Sequence, residues 1–214
     1  MTDSFVLDHI KPAPILANNP ASIWNRNETL ECGRFYQIIS PSGSGKSTLI
    51  GILNGIRNDF KGNLSYNGVS LAGYSLDEWV GLRNKNISTV YQDLKLFDEL
   101  TVLENISILD SFADRKKEEN PINEWLLKLN IQDKINEKVK FLSYGQKQRV
   151  AIVRALNREF RWLMLDEPFS HLDVANIEIA NNLIIEQCKR QKAGLLITGL
   201  DKRFVQNDFL PIII

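Results

Sequence analysis

Short apolar runs alternate with amphipathic stretches along this chain, the pattern of a largely parallel sheet covered by helices. Arg34–Ser40 (RFYQIIS) is rich in aromatic and β-branched residues and predicts a strand. Lys46–Ile56 places Leu49, Ile52, Leu53 and Ile56 at helical spacing. Ile87–Tyr91 reads as a second short strand. Trp162–Leu165 and Leu195–Ile197 are continuous apolar runs, as expected of strands buried on both faces. Asp173–Arg190 carries Val174, Ile177, Ile184 and Cys188 near one helical face, and Phe209–Ile214 reads as a last strand.

The middle of the chain differs. Thr101-Val102-Leu103-Glu104 has the form of a capping box opening a helix. Asp114–Asn120 is a charged surface linker. Pro121 then suits a first helical turn, with Ile122, Trp125, Leu126 and Leu129 as an apolar stripe. Residues 93–142 therefore read as a helical insert in one α/β domain spanning 1–214. A length of 214 residues with 43% hydrophobic content suits that organisation. Lys+Arg and Asp+Glu both number 26, so the chain lacks the basic excess of most nucleic-acid binders, and no nucleic-acid partner is expected. Cys32 and Cys188 lie far apart, which argues against a disulfide scaffold or zinc site and for a reducing compartment. No apolar run approaches the ~18 residues of a membrane span, so a cytoplasmic protein is expected, peripheral if it serves a membrane.

Between the first predicted strand and helix lies Ser40-Pro41-Ser42-Gly43-Ser44-Gly45-Lys46-Ser47-Thr48. Glycines let successive backbone N–H groups converge on phosphate oxygens, and the helix start adds its own donors and dipole. Lys46 can reach the terminal phosphates and Ser47 can ligate Mg²⁺. The usual pattern opens with glycine where this chain has Ser40. The apolar run ending at Leu165 leads into Asp166-Glu167-Pro168. A buried parallel strand delivers such residues to the carboxyl edge of the sheet, where Asp166 can hold Mg²⁺ through a water and Glu167 can orient or deprotonate an attacking water. Alone, the pair could equally be a solvated turn.

Leu142-Ser143-Tyr144-Gly145-Gln146 resembles the LSGGQ signature of ATP-binding-cassette (ABC) ATPases. Tyr91-Gln92-Asp93 is similar to that family's Q-loop, and Ser170-His171-Leu172-Asp173 to its D-loop. The resemblance covers nearly the whole chain from Arg34 onwards, with the landmarks in the family's order. The signature also makes sense locally. Ser143 and Gly145 precede a helix expected over Gln146–Asn157, so a hydroxyl, free N–H groups and a dipole point at one place, a second anion site. The resemblance implies a P-loop NTPase of ABC type, with a mainly parallel sheet, flanking helices and a helical subdomain inserted between Q-loop and signature. It implies ATP and Mg²⁺ as ligands, with Ser47, Gln92 and Asp166 at the metal. Glu167, Lys46 and Gln92 are implied as catalytic residues, and Ser143, Gly145, Gln146 and Asp173 as nucleotide contacts, with a second nucleotide-binding domain as partner in a homodimer. It further implies a transmembrane permease partner, contacted through the insert and by Leu94, Leu96, Phe97 and Leu100 unless these simply pack the insert onto the core. Compactness and the stretch Val90–Ile106 resemble the small ATPases of lipoprotein-release, macrolide-export and cell-division systems. Such a subunit sits on the cytoplasmic face of the inner membrane.

Three departures shape the expectation. The family's switch histidine has no counterpart in Ile197-Thr198-Gly199-Leu200-Asp201, so a nucleotide-gated module with little hydrolysis is the alternative reading. The adenine-stacking aromatic is missing from Lys11–Asn19, which leaves Phe5 and Trp24 as substitutes or as ordinary core or surface aromatics. Tyr144 replaces the first signature glycine, which is tolerable at negative φ.

Overall fold

A computed structural model describes residues 3–13, 22–24, 26–40, 43–108, 121–201 and 208–214. Among them, β3 (Phe35–Ile39), β6 (Ile87–Val90), β7 (Trp162–Leu165), β8 (Gly194–Thr198) and β9 (Phe209–Ile213) form a five-stranded sheet in the order β6-β7-β8-β3-β9, with parallel pairing throughout. The continuous apolar runs follow from two-sided burial, because alternate side chains enter opposite layers. Leu163, Leu165, Leu195 and Ile197 join one core cluster, and Trp162, Met164 and Leu196 the other. Each such side chain contributes about 2 kcal/mol by leaving water. Trp162 is fully buried; Gly194 leaves room for its ring, since a Cβ there would lie 2.6 Å from it.

A second sheet escaped the sequence pattern. β1 (Ser4–Pro12), β2 (Asn27–Glu31), β4 (Phe60–Tyr66) and β5 (Val69–Ser70) pair antiparallel in the order β2-β1-β4-β5. In β1 the alternation is broken by a register shift between Asp8 and Lys11, with His9 at φ 53°. The extra residue hides the period of two that would have revealed the strand. Phe5, Leu7 and Leu30 bury themselves in the second core cluster.

The helices are α1 (Lys46–Leu53), α2 (Leu76–Asn86), α3 (Val102–Ser107), α4 (Ile122–Lys128), α5 (Tyr144–Leu156) and α6 (Val174–Gln191). Two differ from expectation. α1 stops at Leu53 rather than Ile56, because Gly55 turns left-handed at φ 65° and Ile56 is left exposed. α5 begins at Tyr144 rather than Gln146, so Gly145 lies inside its first turn. α2 had no apolar stripe to betray it and buries none of its residues; a Ser75–Glu78 capping box opens it. The insert contains α3, α4 and short 3-10 turns at Gln132–Lys134 and Val139–Phe141. Its apolar stripe, Val102, Ile106, Trp125, Leu126 and Leu129, packs into the same cluster as α5. The Thr101–Glu104 capping box forms as the sequence predicts. The charged stretch Asp114–Asn120 lies outside the described residues.

Candidate functional site

Four parallel strands end at one edge of the sheet, and each passes a motif to it. After β3 come Ser40 and the glycine-rich turn, of which Pro41 and Ser42 lie outside the described residues. Gly43 and Gly45 adopt φ 77° and 111°, where a side chain would be strained. Gly45 is the N-cap of α1 and offers no capping side chain, and the first turn holds no acid. The start of such a helix, with its N–H donors and positive dipole end, suits an anion. Ser40 and Ser44 hydroxyls bond one another across the turn. The Thr48 hydroxyl is turned inward and accepts from Arg57 at 2.8 Å.

After β7, the buried Asp166 is held by its backbone N–H on Val90 O at 2.9 Å. Glu167 follows at φ 49°, a left-handed conformation costing a non-glycine residue about 1–2 kcal/mol. Its backbone N–H donates to the Thr198 hydroxyl at 2.8 Å, and that hydroxyl donates to Asp166 Oδ1 at 2.9 Å. One buried threonine at the end of β8 therefore fixes both carboxylate residues. Lys46 Nζ lies 3.8 Å from Glu167 Oε1. Gln92, after β6, completes the group. Ser47, Gln92 and Asp166 all line one cleft of about 640 Å³, together with Arg57, Tyr91 and Tyr144.

The signature stands beside this cleft. Ser143 caps α5 reciprocally with Gln146: Gln146 N–H donates to Ser143 Oγ, and Ser143 N–H donates to Gln146 Oε1. Tyr144 takes a helical, negative φ, as the replacement of glycine requires. Gly145 is needed for another reason: a Cβ there would meet the His171 carbonyl oxygen at 2.8 Å. Asp173 is exposed and caps α6 through Asn176 N–H at 2.8 Å, a bond that holds its carboxyl below the ordinary value.

Several residues of the site carry no motif and went unnoticed in the sequence. Arg154 of α5 donates to the carbonyls of Leu94 and Lys95, both at 2.6 Å, and burial lowers its pKa from the usual guanidinium value. Gln148 grips the D-loop, donating to Ser170 Oγ and accepting from His171 N–H. Neither adenine candidate is available, because Phe5 and Trp24 are both core residues. Leu94 is buried in the core and Leu96 packs against it, whereas Phe97 is 53% exposed.

A glycine-rich phosphate loop at a helix start, with a strand-end carboxylate pair on the same sheet edge, defines a P-loop nucleoside triphosphatase. The ABC transporter family model matches residues 24–170, and the chain belongs to that family. Among curated relatives, the chain is 37% identical to the lipoprotein-releasing system ATP-binding protein LolD of Buchnera aphidicola subsp. Schizaphis graminum, over 79% of this chain and 75% of that one. It is 34% identical to the ABC transporter ATP-binding protein YvrO of Bacillus subtilis, over 80% and 76%. Among solved structures it resembles the dimeric MJ0796, a bacterial ABC transporter cassette, with a TM-score of 0.83, 25% identity, and 98% and 94% coverage. A second dimeric state of MJ0796, post-hydrolysis and bound to ADP and Pi, fits with a TM-score of 0.82 and 25% identity, covering 97% of this chain and 94% of that one. The chain is accordingly an ATP-binding, ATP-hydrolysing subunit of an ABC transporter. No helix among the described residues is long and apolar enough to cross a membrane.

Proposed function

We propose that two copies of this chain clamp ATP between them and drive a membrane permease from the cytoplasmic face of the inner membrane. The observation that carries this reading is the convergence of Ser47, Gln92 and Asp166 on one cleft, with Lys46 and Glu167 as neighbours. Lys46 and the amides at the start of α1 bind the phosphates. Glu167 orients the attacking water and accepts its proton. Ser143 of the opposing copy closes on the same triphosphate. The donor set suits Mg²⁺, which keeps several waters and asks for few protein oxygens: a hydroxyl, a carboxamide and the single buried carboxylate of Asp166. Magnesium, when bound, neutralises charge on the phosphoryl oxygens. The relatives named as lipoprotein-releasing ATP-binding proteins support a substrate of that kind, handled by the permease rather than by this subunit.

The lack of a switch histidine in Ile197–Asp201 favours a second reading, in which ATP closes the pair but is scarcely hydrolysed. Steady-state ATPase of the wild type beside Glu167→Gln separates the two. Removing the base is expected to cost about 10²–10⁴-fold in rate and to trap the ATP-bound dimer. Equal rates in the two proteins would leave the nucleotide-gated module as the correct description.

A further inference from the structure

We propose that Tyr144 is a positioning residue through which nucleotide in a chain's own phosphate cradle orders that chain's signature. This rests on the reading above, in which the cradle binds ATP and the signature serves the opposing copy.

Tyr144 stands where the signature usually has glycine, and 43% of it is exposed. Its hydroxyl donates to the backbone carbonyl of Gln92 at 2.9 Å. Gln92 lines the cleft with Ser47 and Asp166, so this bond ends on the nucleotide side of the chain's own site. The tyrosine ring packs against the His171 ring of the D-loop, with centroids 4.2 Å apart. One side chain therefore touches the Q-loop and the D-loop while its backbone forms the first turn of α5, next to Ser143. Further along the helix, Arg154 holds the carbonyls of Leu94 and Lys95, and Gln148 holds Ser170 and His171. Lys147 adds an ion pair to Asp98 at 2.8 Å.

These contacts clamp a helix of 13 residues, about 20 Å long, to both loops. Arg154 fixes the far part of the Q-loop. Among the described residues, only the Tyr144 hydroxyl joins Gln92 itself to the signature. When Gln92 is engaged by nucleotide and metal, its carbonyl loses freedom, and the bond passes that restraint to the first turn of α5. The energy of such a link is a coupling between two sites and is reciprocal.

Hydrogen exchange with a non-hydrolysable ATP analogue and Mg²⁺ tests this, on wild type and Tyr144→Phe, diluted enough to stay monomeric. The phenylalanine keeps the ring on His171 and removes only the hydroxyl. In the wild type the analogue is expected to slow exchange in both the phosphate loop and the segment 142–150, the latter about fivefold. In Tyr144→Phe the phosphate loop is still protected and the signature segment no longer responds. An equal signature response in the two proteins, or none in either, overturns the inference. Absence of phosphate-loop protection in the wild type instead overturns the reading of the cradle as an ATP site, and this inference with it.

Discussion

Gly199 lies in the segment Ile197–Asp201, where the family's switch histidine has no counterpart, and its surroundings leave little room for a side chain. It adopts φ 67°, and a Cβ there would lie 3.1 Å from Glu167 Cγ. Glu167 itself is left-handed, stabilised by its bond to Thr198 and by Lys46 at 3.8 Å. Left-handed backbone costs a non-glycine residue about 1–2 kcal/mol, and the new Cβ must also push the glutamate aside. Restoring histidine alone is therefore expected to fail. Gly199→His should melt about 2–8 °C lower and hydrolyse ATP no faster than wild type. A severalfold rise in steady-state rate would show that the site tolerates the family's geometry after all. Thr198 shows why such a residue was invisible beforehand: its two partners lie more than 30 positions away, and nothing in Ile197-Thr198-Gly199 announces them.

Among the elements, the start of α3 was the most legible, because its capping box is written within four consecutive residues. α3 illustrates both the device and its pH dependence. Thr101 Oγ1 accepts from Glu104 N–H at 3.2 Å, while Glu104 Oε2 accepts from Thr101 N–H at 2.7 Å. The Thr101 N–H and, next, the Thr101 hydroxyl, both donating to Glu104 Oε2, hold that carboxyl below its ordinary value of 4.5. A carboxyl depressed in the folded state contributes stability above its ordinary value, and the contribution is lost as pH falls through the depressed one. Thr101→Ala is expected to lower the melting temperature by about 2–4 °C at pH 7. At pH 3 the gap from wild type should narrow, as measured by thermal melts in matched salt. A gap that stays constant with pH would place the loss in the neutral bond from Glu104 N–H to Thr101 Oγ1 rather than in the bonds to the carboxylate. β1 was illegible for the opposite reason: its bulge interrupts the alternation on which strand reading depends.

At the scale of the whole molecule, the proposed function requires one surface that meets the permease. Of the four apolar residues beside the Q-loop, Leu94 is committed to the core and Leu96 leans on it. Phe97 is different, with half its surface open and its backbone fixed by two bonds to the buried Asn105. A large aromatic held rigidly in the open is suited to an apolar pocket on a partner. On the proposed function, Phe97→Asp should reduce co-purification with the membrane subunit at least tenfold, the loss expected for an interface anchor worth over 1.4 kcal/mol. The isolated subunit's melting temperature should shift by less than about 2 °C, because an exposed ring leaves no cavity. Undiminished co-purification would move the docking surface elsewhere.

The sequence alone determined what is local: the glycine-rich turn before α1, the carboxylate pair after β7, the capping box of α3, and the apolar runs of β7 and β8. Each is encoded within a few adjacent residues, where backbone geometry and side-chain chemistry constrain one another directly. Tertiary structure decided what depends on distant segments meeting. It formed the second sheet from strands too irregular to read, sent Phe5 and Trp24 into the core, and set Tyr144 on Gln92 across 52 positions. The physical reason is that such contacts are selected by packing of the whole chain, whose free energy is spread over both core clusters rather than written at either contacting residue.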